Sequence, residues 1–220
     1  MRVMIREANL GEVDFAAMRA AMVACQLRTS DVNDEAVVAA MSRVAREDFV
    51  PAARRDTAYV DRAIPLGEGR MMNPPLVTGR LLTAAQVKPG DKVLLLGDAT
   101  GYSAALLHHM GAQVTVVSDI SRPKPVSADV KWSKGVAAKG QAKGAPYDVL
   151  VIDGAITELP ATLVRQLADN GRVALGLAER GVSRLCSGRK AGDSVGFASH
   201  ADMDMAMASG FEAKAAEFVF

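Results

Sequence analysis

Cysteine is scarce in this chain. Of 220 residues only Cys25 and Cys186 carry a thiol, far apart and without metal-ligand spacing, which argues against a disulfide framework and a zinc knuckle. Both are expected to be reduced, buried small hydrophobes. Charge of one sign is lacking too: 26 Lys and Arg against 25 Asp and Glu leave a formal net charge of +1. That balance gives no support to nucleic-acid binding through bulk charge. No apolar run reaches the roughly 18 residues of a membrane span, and the opening MRVMIREANLGEVDF has no continuous apolar core of a signal peptide. The expectation is a soluble cytoplasmic protein that binds neither membrane nor nucleic acid and holds no metal. Also missing is any Ser-His or paired-carboxylate constellation, and the His108–His109 pair reads as a solvent-facing part of a helix.

What is present is a period. Phe15, Met18, Met22 and Cys25 recur at spacings of three and four, one face of a first helix, with Asn9 and Glu12 spaced as a capping box. A second helix is expected from Asn33 to Arg46, with Val37, Met41 and Val44 on one side and Phe49–Pro51 beyond its end. Asp56 to Pro75 is irregular, and reads either as an ordered surface loop or as a binding lid. A helix over Leu76 to Val87 follows. Residues 1–75 thus form a helical extension with a loop, and residues 76–220 a second region, the two making one compact unit.

From Lys92 the pattern alternates. KVLLLG, QVTVVS, YDVLVID and RVALGL read as buried strands, and YSAALLHHMG and ELPATLVRQLADNG as helices. Continuous apolar strands between helices predict a doubly wound, mostly parallel α/β sheet covered on both faces. VSRLCSG and the terminal EAKAAEFVF are expected as antiparallel additions at its edge. One interval resists: Asp119 to Ser127 carries Pro123 and Pro125 and is too short for a full crossover helix. Either a strand near Asp129 to Trp132 is reached by an extended link, or the sheet is one strand short. Lysines 131, 134, 139 and 143 read as a phosphate patch or as a solvated loop.

The first strand ends in GDATGY, Gly97 to Tyr102. In doubly wound sheets ligands bind beyond the carboxyl ends of the strands. The loop lacks the third glycine of a dinucleotide fingerprint and the Gly-Lys-Ser/Thr of a phosphate loop.

MVACQLR, VAREDFVP, AYVDRAIPLGEG, VKPGDKVLLLGDATGYSAALL and APYDVLVIDGAITELPATLVRQLADNGRV occur in that order. Through them the chain resembles the protein-L-isoaspartate O-methyltransferase family over nearly its whole length. The resemblance implies a class I methyltransferase fold, S-adenosylmethionine as cofactor, and methyl transfer to isoaspartyl carboxylates of damaged proteins as partners. It places the cofactor at Gly97, Asp98, Ala99, Gly101, Tyr102, Ser118, Asp119 and Asp153. Asn73 stands at the position of a substrate-side hydroxyl, in Met71-Met72-Asn73.

Departures from the family pattern shape the expectation. Leu95 replaces an acid, Ala99 a glycine and Ser118 the acid for the cofactor ribose, with Asp119 one residue late; Lys134 falls where an acid lies beside the adenine. A hydrogen bond to a charged group contributes roughly 1.5–3 kcal/mol, so losing two or three weakens binding by up to about three to six orders of magnitude. Two readings follow: a methyltransferase with a remodelled, weakly binding pocket, or a non-catalytic module that keeps the fold.

Overall fold

The computed structural model describes residues 13–211. Helix α1, Phe15–Met22, is capped by Asp14, whose carboxylate accepts from Ala17 N. A π-helical turn, Val23–Leu27, continues it. That wider turn breaks the three-four spacing, and Cys25 is exposed rather than buried, whereas Cys186 is buried as expected. The Asn9–Glu12 pair and the terminal EAKAAEFVF lie outside the described residues.

Helix α2 is shorter than expected, Glu35–Arg43, with the Asp34 carboxylate accepting from Ala36 N and Val37 N. Val37 and Met41 are buried. A 3₁₀ turn over Arg46–Phe49 follows. The irregular segment is ordered as an antiparallel hairpin, β1 (Ile64–Gly67) with β2 (Arg70–Met72). Helix α3, Pro75–Ala85, starts on a proline, where the missing N–H costs nothing, and ends at Gln86 with φ of +51°.

Among the described residues the main sheet has seven strands: β3 (Lys92–Leu96), β4 (Gln113–Ser118), β5 (Lys131–Lys134), β6 (Tyr147–Ile156), β7 (Leu167–Glu179), β8 (Val182–Ala191) and β9 (Ser194–Asp202). Their spatial order is β5-β4-β3-β6-β7-β8-β9. The first five run parallel, and β8 and β9 are antiparallel additions. The antiparallel edge begins with the expected VSRLCSG, but β9 went unread, because its residues are mostly exposed and give no apolar alternation.

Strand alternation splits the core. Val93, Leu95, Val149 and Val151 face a cluster shared with α2, α3 and α4 (Tyr102–His109). Leu94, Leu96, Leu150 and Ile152 face the opposite cluster, closed by Leu163, Ala208 and Phe211. Helices α3 and α4 pack on the sheet and α2 packs on both, so the N-terminal helices form an outer layer.

The sheet is thinly clad at its β5 end. No helix joins β4 to β5: residues 119–130 are extended links and turns, and their buried Val126 and Val130 plug the helix-side cluster. The strand anticipated near Asp129 to Trp132 is β5, parallel to β4. Between β5 and β6 lie only 3₁₀ turns, and Lys131, Lys134, Lys139 and Lys143 are all exposed. The helix expected over Glu158–Gly171 contracts to a single turn, α5 (Ala161–Val164). Gln166 explains the break. Its side chain accepts from Gln141 N and donates to Lys139 O, and its carbonyl accepts from Tyr147 N. These tertiary bonds draw the chain into β7. The Asn170-Gly171 pair is then an irregularity in β7, Asn170 at φ +59°, rather than a helix stop.

Leu94 is 1 % exposed in the middle of the sheet. Leu94→Ala is expected to destabilise the fold by about 2–5 kcal/mol, read as a fall in the urea midpoint at unchanged m-value.

Candidate functional site

The glycine loop joins β3 to α4 at the carboxyl end of a central strand. Gly97 has φ of +74° and Gly101 +85°, which side chains rarely tolerate. Between them Asp98 is completely buried. Its Oδ1 accepts from Thr100 N at 3.0 Å and Gly101 N at 2.6 Å, and its Oδ2 from Ala104 N at 3.0 Å. Thr100 Oγ1 accepts from Tyr102 N at 3.1 Å. Amides at the start of a helix are usually free for a ligand; here these four are satisfied inside the loop. Ala99 is half-buried. The Tyr102 side chain turns away from the loop into the helix-side core, edge-on to Phe49 at 5.5 Å, so the loop side of Tyr102 is its backbone alone.

Beside the loop, Ser118 is the last residue of β4 and its hydroxyl donates to Asp98 O at 3.2 Å. Because the strand ends there, the alternation of side chains does not govern Asp119, which is exposed at the rim with an oxygen 3.4 Å from Ser118 Oγ. Lys134 lies directly opposite Ser118 across the β4–β5 ladder. Leu95 is fully buried in the helix-side core.

On the other side stands Asp153, in β6. It accepts from Ser103 Oγ at 2.6 Å and from Asn73 Nδ2 at 2.9 Å. Asn73, 4 % exposed just after β2, also accepts from Ala206 N through Oδ1 at 2.9 Å. Its carbonyl accepts from Arg46 Nη2 at 2.6 Å. Arg46 is fully buried, donates from Nε to Ala58 O at 2.7 Å, and stacks 5.0 Å over the Tyr102 ring.

The structure therefore gathers Asn73, Gly97, Asp98, Ser118 and Asp153 at one set of strand ends, all but Asp153 buried, with Asp119 exposed at the rim. Arg46, Ser103 and Ala206 were missed. Arg46 sits within VAREDFVP, where nothing marks it as buried; Ala206 lies in a stretch with no motif.

The faces of Gly97 and Gly154 test whether the cleft suits a cofactor. Each is a cradle that a Cβ would fill: at Gly97 it would meet Ala208 Cβ at 2.9 Å, and at Gly154, φ +144°, Ala206 O at 2.7 Å. Both glycines thus permit close backbone approach, and residues 206–208 of the same chain make it. At Gly101 the corresponding space meets Val126 Cγ2 at 2.6 Å. Among the described residues no group of three or more His, Cys, Asp or Glu could hold a metal ion.

Burial pushes both carboxyls above the usual carboxylate range. Asp98 is raised to about 6, with the neighbouring Asp153 charge adding to the burial effect, and Asp153 is raised by burial against the hydrogen bonds of Ser103 and Asn73. Between an unfolded value near 4 and about 6, the native state therefore binds more protons than the unfolded chain. Asp98 accordingly makes stability fall as pH rises through that window, by on the order of 1–3 kcal/mol. Urea unfolding from pH 4 to pH 7 is expected to show the wild type losing stability relative to Asp98→Asn as pH rises, with the difference level above about pH 7.

Residues 18–202 match the family model for protein-L-isoaspartate(D-aspartate) O-methyltransferase. The chain is 35 % identical over 170 residues to the protein-L-isoaspartate O-methyltransferase of Koribacter versatilis, covering 73 % of this chain and 77 % of that protein. It is 35 % identical over 181 residues to protein-L-isoaspartate O-methyltransferase 1 of Rhodopseudomonas palustris, covering 78 % and 74 %. Two solved structures share the fold. A protein-L-isoaspartate O-methyltransferase superposes with a TM-score of 0.74 at 18 % identity, covering 88 % of this chain and 67 % of that one. The Plasmodium falciparum structure, in complex with S-adenosyl-L-homocysteine, gives 0.70 at 17 % identity over 90 % of this chain and 100 % of that one. With a family model matching most of its length and relatives at this identity, the chain belongs to the protein-L-isoaspartate O-methyltransferase family.

Proposed function

We propose that the protein methylates isoaspartyl carboxylates in damaged proteins, with S-adenosylmethionine as donor. The observation that carries the reading is the Asn73–Asp153 contact, which brings the substrate-side segment against the strand end beside the glycine loop. The backbone of Gly97–Gly101 and the Asp119 carboxylate would hold the cofactor, which supplies an electrophilic methyl group.

The demands on the protein are then modest. A carboxylate with a pKa near 4 is already ionised at neutral pH, so no general base is needed and the absent Ser-His pair is no obstacle. The task is to orient one oxygen and exclude water. Asn73 Nδ2 gives one hydrogen to Asp153 Oδ1, whose other oxygen Ser103 holds, and its second hydrogen would serve a substrate carboxylate. Binding of the cofactor is weak, because Ser118 supplies no carboxylate and Lys134 sets a cation directly opposite it.

A second reading, a binding module without catalysis, is favoured by one feature: Asp98 satisfies the loop amides that a ligand would use. Calorimetric titration with S-adenosylhomocysteine to a few millimolar, beside a methyl-ester assay on an isoaspartyl peptide, separates the two. The enzyme reading expects a dissociation constant of hundreds of micromolar with measurable ester. It also expects Asp119→Asn to weaken binding about 10- to 100-fold, the loss of one charged hydrogen bond. No binding and no ester select the module; a low-micromolar constant overturns the weak pocket.

A further inference from the structure

After β9 the chain turns back across the strand ends. Met203 N donates to Ser183 O, and residues 205–208 then lie along the end of β6. Ala155 N donates to Ala206 O at 2.8 Å, Ala208 N to Ala155 O at 2.9 Å, and Ala155 and Met207 form a parallel bridge. Asn73 Oδ1 takes the Ala206 amide from the other side. Met205 and Ala208 are buried, while Met207 is 51 % exposed. The segment therefore sits as an extended strap held by main-chain bonds, with only small side chains over the glycines. It covers the Gly97 and Gly154 faces, where an added Cβ would collide with Ala208 and with Ala206 O.

We propose that this strap, residues 205–208, is a built-in stopper of the cofactor cleft, so that strap and cofactor are alternative occupants of the Gly97–Gly154 face. The inference rests on the reading of the glycine loop as a cofactor site. Two features argue that the strap can leave. It enters no sheet beyond the single bridge at Ala155. Its hold on the substrate side is one hydrogen bond to Asn73, a residue already bonded to Asp153 and Arg46 without it. The two residues over the glycines, Ala206 and Ala208, are small and leave the cradle intact when withdrawn, while Met205, buried in the helix-side core, anchors the start of the strap.

The test uses the full chain and S-adenosylhomocysteine as probe. Ala208→Pro removes the N–H that bonds Ala155 O, and Ala206→Pro the one that bonds Asn73; using both guards against one failing to fold, and circular dichroism verifies each. The expected result is at least tenfold tighter binding by a folded variant. In the wild type, saturating probe should speed amide hydrogen exchange at residues 205–208. Equal affinities in wild type and variants, with unchanged exchange in the strap, overturn the stopper and leave the cofactor reading standing. No binding by any form, when exchange shows the strap already loose in the variants, overturns the stopper together with the cofactor reading.

Discussion

Asp98 is the residue on which the geometry of the cleft depends. A carboxylate buried at the end of a central strand is costly unless its oxygens are bonded, and here three backbone amides bond them, two in the loop and one in the first turn of α4. The arrangement fixes where α4 starts, and through α4 it sets Ser103 against Asp153 and the Tyr102 ring beneath Arg46. The same carboxylate supplies internally the negative charge that helix starts attract from phosphates and other anions. The loop is thus shaped like a ligand cradle and electrostatically complete without one.

Much of the sheet was legible because a doubly covered parallel sheet writes itself as apolar runs. Val93–Leu96, Val114–Val117 and Val149–Ile152 are buried on both sides, and no competing pattern obscures them. The missing crossover helix was legible too, since Pro123 and Pro125 forbid it locally. What escaped was decided elsewhere in space. Nothing local ends the expected helix after Val164; Gln166 ends it by bonding a loop more than twenty residues earlier. Strand β9 has no apolar rhythm, since one neighbour and a largely exposed surface impose none.

In the cleft the legible residues were those within a loop motif or the family pattern, Gly97 to Gly101 and Asn73. Asp119, one residue late for the family pattern, escapes the strand's alternation because β4 ends at Ser118. Partners that meet only in the folded chain stayed invisible. Arg46 and Asn73 are 27 residues apart, and Asn73 and Ala206 133 apart. Distances of that kind leave no trace in spacing.

The buried Arg46 has a further consequence. Its guanidinium holds the carbonyls of Ala58 and Asn73, the two ends of the segment containing the β1–β2 hairpin, while its backbone belongs to the outer helical layer. That layer therefore cannot open as an independent foldon. Releasing it would strand a guanidinium without its acceptors and free both anchors of the hairpin at once, so the outer helices, the hairpin and the Asn73 side of the cleft share one opening free energy. Peripheral helices of small domains often fray by themselves; in this chain their local opening is tied to the integrity of the cleft.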